Sequence, residues 1–87
     1  MSGVGSARIR ATLHLKEAAS VGFEATELWP RHGAYSRFGN DLPSFAQEVM
    51  RRLQDDGFVG FARDENTITV IPLAAVRRLD FTATWQP

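Results

Sequence analysis

Eighty-seven residues suffice for one domain with a single modest core and leave no room for a deep internal active site with its own lid. Ten basic and ten acidic side chains cancel to a formal charge of zero, which disfavours a dedicated nucleic-acid or membrane-surface binder. The absence of cysteine excludes a disulfide framework, a thiolate nucleophile and a cysteine-based zinc site. No apolar run approaches the roughly 18 residues that span a bilayer, and Met1 to Ser6 lacks the basic and apolar regions of a signal peptide, so a cytoplasmic location is expected.

Residues 1–6 are small and glycine-rich and read as a flexible terminus; residues 7–87 read as one α+β domain. Gly3 and Gly5 form a Gly-x-Gly with neither a third glycine nor a preceding strand, so no phosphate-binding loop and no cofactor are expected. From Ala7 to Lys16 the alternation is strict, with Ile9, Ala11, Leu13 and Leu15 on one face and Arg8, Arg10, Thr12, His14 and Lys16 on the other. That pattern predicts a half-buried strand. A five-residue connection leads to a second alternating run, Val21, Phe23 and Ala25, which completes a hairpin. The parity breaks near Glu27, where a bulge or strand end is expected before the adjacent Leu28 and Trp29.

Residues 30–40 have no period and carry glycine or proline at three positions, which predicts the longest loop. Asp41 then suits an N-cap, Pro43 suits the first turn, and Leu42, Phe45, Ala46, Val49, Met50 and Leu53 recur at helical spacing as one apolar stripe. Gly57 is expected to end the helix in a left-handed conformation. Beyond it the run from Phe58 reads as a strand, Asp64 to Asn66 as a three-residue turn closed by a left-handed Asn66, and Thr67 to Ile71 as the return strand. Pro72 has no N–H to give to a ladder and belongs at a strand end or edge. Leu73 to Val76 leaves room for one tight turn before a final strand with Leu79, Phe81, Ala83 and Trp85 on one face.

The order ββαβββ predicts a single helix packed on a five-stranded antiparallel sheet whose last three strands form a meander. A ubiquitin-like grasp and a small barrel of the Sm or SH3 type are the alternatives. For the latter, Thr69-Val70-Ile71-Pro72-Leu73-Ala74-Ala75-Val76-Arg77-Arg78-Leu79 resembles the strand, single 3₁₀ turn and strand that close such barrels. The helix after the second strand departs from that layout, so no binding residue is carried over. As a whole the sequence is similar in style to small actinobacterial or actinophage proteins, a similarity that implies no activity.

Candidate chemistry is sparse. His14 and Glu24 across the hairpin would be the start of a metal site, but nothing enforces their spacing. Ser36, His32 and Asp41 supply hydroxyl, imidazole and carboxylate, yet on a glycine-flanked loop with little rigidity, so no enzyme is expected. Arg31, His32 and Arg37 interleave with Trp29, Tyr35 and Phe38, the mixture of cations and aromatics that single-stranded nucleic acid uses. The leading expectation is a non-enzymatic interaction module, self-associating as a dimer or binding another protein. One helix covers one sheet face, and Val59, Phe61 and Ile71 are expected on the other. The rival is a nucleic-acid-binding accessory protein using Arg31, His32, Tyr35, Arg37 and Phe38.

Overall fold

The strict alternation of residues 9–15 is realised in the structure, a computed structural model that describes residues 6–30 and 41–86. Strand β1 (Ser6–Leu15) buries Ile9, Ala11 and Leu13 and is followed by β2 (Val21–Glu24), which pairs with it antiparallel. The break expected near Glu27 is a 3₁₀ turn, Ala25–Glu27, in which Glu27 Oε1 accepts the Glu24 N–H at 2.7 Å. The chain resumes as the two-residue β3 (Leu28–Trp29). Helix α1 (Leu42–Asp55) follows, then β4 (Phe58–Asp64), β5 (Thr67–Pro72), a 3₁₀ turn at Leu73–Ala75 and the long β6 (Val76–Gln86).

The α+β class holds, but the expected single sheet does not form. Two three-stranded antiparallel sheets are present, in the orders β2-β1-β6 and β3-β4-β5. The terminal meander is also corrected: β5 pairs with β4, whereas β6 crosses to β1. Side-chain parity explains this choice. Leu79, Phe81 and Ala83 lie opposite Leu13, Ala11 and Ile9, so two of the three pairs set a large residue against alanine and both apolar sets face the same way. The Leu73–Ala75 turn redirects the chain, and Lys16 N–H bonds to Ala75 C=O at 3.0 Å, pinning the corner to the end of β1. A second 3₁₀ turn joins β2 to β3, so the sheets are linked covalently at two corners.

The core lies between the sheets and under the helix. Phe23 of the first sheet stacks on Phe61 of the second, with centroids 4.6 Å apart and rings 7° from parallel. Phe45 of α1 meets Phe23 and Phe81 edge-on, at 5.9 and 5.7 Å, so one helical side chain joins both neighbours. The stripe on α1 is rotated from the expected one: Phe45, Val49, Arg52 and Leu53 are buried, and Met50 is exposed. At 3.6 residues per turn Arg52 lies about 20° from Phe45 around the axis and Met50 about 140° away, which places the arginine inside the buried arc.

The helix ends behave differently from each other. Asp41 occupies the N-cap, but its carboxylate accepts from the Ser44 hydroxyl and caps no backbone N–H. At the other end the Asp56 and Gly57 N–H groups both donate to Arg52 C=O, at 2.9 and 3.2 Å, and Gly57 takes φ +84° as expected. The β4–β5 connection is a correction. No described non-glycine residue has positive φ, so Asn66 is not left-handed; the turn is closed by Asp64 Oδ1 accepting the Asn66 N–H at 2.7 Å, with a bulge between Ala62 and Asp64.

Candidate functional site

The residues expected to form an uncovered face are in the core. Val59, Phe61 and Ile71 are 0%, 1% and 9% exposed, because their parity on β4 and β5 points at Phe23 and the helix. The opposite parity is the uncovered one. Register places Trp29, Gly60 and Val70 in one row across β3, β4 and β5, with Ala62 opposite Ile68 and Phe58 opposite Pro72 beside it. Residues directly opposite share a face, so these seven residues, all uncharged, lie on the outer surface of this sheet up to the bulge at Ala62. Trp29, Ile68 and Val70 are 38%, 45% and 47% exposed. Gly60 is buried beneath the indole: a Cβ there would lie 3.0 Å from Trp29 Cε3.

The outer face of the other sheet is the reverse. Arg8, Arg10, Thr12 and His14 on β1 line up with Glu24 on β2 and with Arg78, Asp80, Thr82 and Thr84 on β6. Glu24 accepts from Arg8 and, at 3.5 Å, from Arg10, which satisfies the neutralisation that hairpin pairing implies; the same bond raises the Arg8 guanidinium above its ordinary value. Glu24 is therefore committed to arginine and is no metal partner for His14. Among the described residues no group of three or more histidine, aspartate or glutamate side chains is placed to hold a metal ion.

His14 instead bridges two other groups. Its Nε2 lies 2.7 Å from Asp80 Oδ2 and its Nδ1 2.9 Å from Ser20 Oγ. A carboxylate only accepts, so Nε2 carries a proton; in the neutral ring Nδ1 then accepts and the serine hydroxyl donates. The bond from His14, followed by that from Arg78, holds the Asp80 carboxyl below its ordinary value. Hydroxyl, imidazole and carboxylate are in the order of an acyl-transfer relay. Ser20 and residues 16–19 are exposed to water, however, where preorganised stabilisation of a developing charge is weak. The cluster ties the β1–β2 loop to β6. An open depression of about 350 Å³, lined by residues 15–18 with Ala74 and Ala75, borders the same loop and presents only Lys16 and Glu17 as charged groups.

This cluster was not legible in the sequence because His14 and Asp80 are 66 residues apart and meet only through β1–β6 pairing. The nucleic-acid candidates Arg31, His32, Tyr35, Arg37 and Phe38, and Ser36 with them, lie outside the described residues. Asp41, the remaining member of the loop triad, serves the helix start. Comparison with protein-family models, with curated proteins and with solved structures finds no match to this chain. Among the described residues no helix is long and apolar enough to cross a membrane.

Proposed function

We propose that this protein is a non-enzymatic interaction module that self-associates through the outer face of the β3-β4-β5 sheet. The observation that carries the reading is the contrast between its two sheet exteriors. One is charged, hydrogen-bonded and content in water. The other carries Trp29, Ile68 and Val70 exposed, paired with or beside the uncharged Phe58, Gly60, Ala62 and Pro72, and Leu73 adds a further half-exposed apolar group at its corner. Contiguous exposed apolar surface of this kind on a small domain marks a contact site. The two sheets joined at both corners by 3₁₀ turns also favour reading the fold as a small barrel of the Sm or SH3 type with a helix inserted after the second strand.

Sedimentation equilibrium or static light scattering at high micromolar concentration tests the proposal. A dimer is expected, and Val70→Lys should return it to monomer with an unchanged circular dichroism spectrum. A parent protein that stays monomeric throughout that range would refute self-association.

A further inference from the structure

The apolar face is bordered by an open strand edge, and the backbone register specifies how it is used. Leu73 N–H donates to Gly57 C=O at 2.9 Å, so positions 57 and 73 form a hydrogen-bonded pair. Antiparallel ladders alternate. The pairs Val59–Ile71 and Phe61–Thr69 are therefore hydrogen-bonded, and Phe58–Pro72, Gly60–Val70 and Ala62–Ile68 are not. The backbone groups of Ile68, Val70 and Pro72 consequently turn away from β4, towards an edge on which β5 has no neighbour among the described strands. Pro72 fits this geometry, because its missing N–H falls on the outward side.

Edge strands are commonly guarded by lysine, by inward charges or by extreme shortness. Residues 67–72 contain no charged residue, and their outward carbonyls and N–H groups are flanked by the half-exposed Ile68 and Val70. The other long edge, β6, presents Arg78 and Asp80 on its outer face and is the less suitable of the two for an apolar contact.

We infer that β5 pairs antiparallel with β5 of a second copy of this chain, about a two-fold axis at Thr69, joining the two β3-β4-β5 sheets into one six-stranded sheet. This rests on the self-association proposed above and moves its contact to the β5 edge that borders the outer face, so that the outer face runs on from one copy into the other. The register follows from satisfying the outward groups. With the axis at Thr69, Ile68 lies opposite Val70 of the second copy, and all their outward N–H and C=O groups are exchanged across the axis. Moving the axis to Val70 would set Ile68 opposite Pro72, whose absent N–H leaves the Ile68 carbonyl without a donor. The chosen register also makes Ile68 and Val70 cross-strand neighbours on the outer face, continuing the row Trp29, Gly60, Val70 into the second copy.

Charge supports a second copy as the occupant. The formal net charge of zero sets up no repulsion between two chains. With the axis at Thr69, Asp64 and Glu65 of one copy fall at the register of Ala74 and Leu73 of the other, so the two acidic turns lie apart, at opposite ends of the pair. A β5–β5 pair in parallel would stack acidic turn on acidic turn.

A single-cysteine experiment decides it, since the chain has no cysteine of its own. At the two-fold axis Thr69 faces itself in a non-hydrogen-bonded pair, where Cα atoms are about 4.5 Å apart, within the reach of a disulfide. Thr69→Cys should oxidise in air to a covalent dimer, and Thr82→Cys on β6 should not. Val70→Pro, which removes an outward N–H without touching the β4 ladder, should weaken dimerisation of the cysteine-free protein by about tenfold or more in sedimentation. A dimer by light scattering in which Thr69→Cys fails to cross-link leaves self-association standing and overturns the β5–β5 pairing, as does cross-linking of Thr82→Cys instead. A monomer overturns both.

Discussion

Replacing Glu48 by glutamine should destabilise this domain more than replacing the buried arginine it serves. Glu48 accepts from Arg52 Nε at 2.7 Å and from Arg51 Nη2 at 2.6 Å, and the bond from Arg51, with that from Arg52, brings its carboxyl down to about 2 against the opposing effect of burial. Against an ordinary value of about 4.5 this corresponds to at most about 3.4 kcal/mol at neutral pH. Arg51 is half exposed and solvent screens its share, which reduces the figure to roughly half. Arg52 sets the larger cost. Its side chain is 3% exposed, and Glu48→Gln removes its counter-charge while leaving it in the core, a change typically worth about 3–5 kcal/mol. The Arg52 bond already contributes to the depressed carboxyl value, so the two figures overlap and do not add; the expected loss is about 3–5 kcal/mol at neutral pH, or on the order of 10–40 °C in Tm for a domain of this size.

Because the folded value is depressed, the carboxylate contribution is present above about 4.5 and is lost as pH falls towards about 2, so parent and Glu48→Gln should converge in acid. Arg52→Met should behave otherwise. The Arg52 Nη1 and Nη2 atoms are buried and make no hydrogen bond among the described residues, and each such orphan costs about 1–3 kcal/mol. Methionine keeps much of the stem's packing and removes both nitrogens, so the variant should lie within about 1 kcal/mol of the parent or above it. In the Arg52→Met background, Glu48→Gln should then cost much less. Urea denaturation followed by circular dichroism reads all four proteins; Arg52→Met proving as damaging as Glu48→Gln would refute the reasoning.

Three further outcomes are expected. Gly57→Ala should cost about 1 kcal/mol through backbone strain alone, since φ is +84° and nothing lies within 4 Å of an added Cβ; an unchanged denaturation midpoint would count against it. Gly60→Ala should displace the indole of Trp29, whose Cε3 and carbonyl oxygen would lie 3.0 and 3.1 Å from the new methyl, and should lower stability by about 1–3 kcal/mol with a changed tryptophan emission. His14→Ala should raise the Asp80 carboxyl towards its ordinary range in a carbon-13 NMR titration. In the parent, the Asp80 contribution is present above that ordinary range and lost as pH falls through the depressed value, so the variant should show a weaker acid dependence.

Local signals in this chain carried their elements well. Alternation marked β1, Pro43 and Gly57 bracketed α1, and the 3₁₀ corner after Pro72 lay where one tight turn had room. The failures share one physical origin: the partner of each strand is a non-local choice. A short link from β5 to β6 looks like a hairpin until the corner turns the final strand onto β1, and with that pairing the single sheet becomes two. The exposed face inverted for the same reason. Val59, Phe61 and Ile71 are apolar at one parity, but Gly60, Ile68 and Val70 are apolar at the other, and only the position of Phe23 and α1 selects which set is buried. Arg52 has a separate cause: helical periodicity assigns charge to the outside, and here the i,i+4 bond to Glu48 offsets part of the cost of taking the arginine in.

The β1–β6 pairing also sets the order of events during synthesis. Strand β1 receives its second neighbour only when residues 76–86 emerge, so a nascent chain that already holds the hairpin, the helix and β4–β5 still exposes one side of β1. Residues near the C-terminal end thus act as the closing piece of the domain. A chain stopped before β6 should lose the whole inner face of the first sheet's third strand, with Phe81 and its contact to Phe45, and should be a target for proteolysis or aggregation.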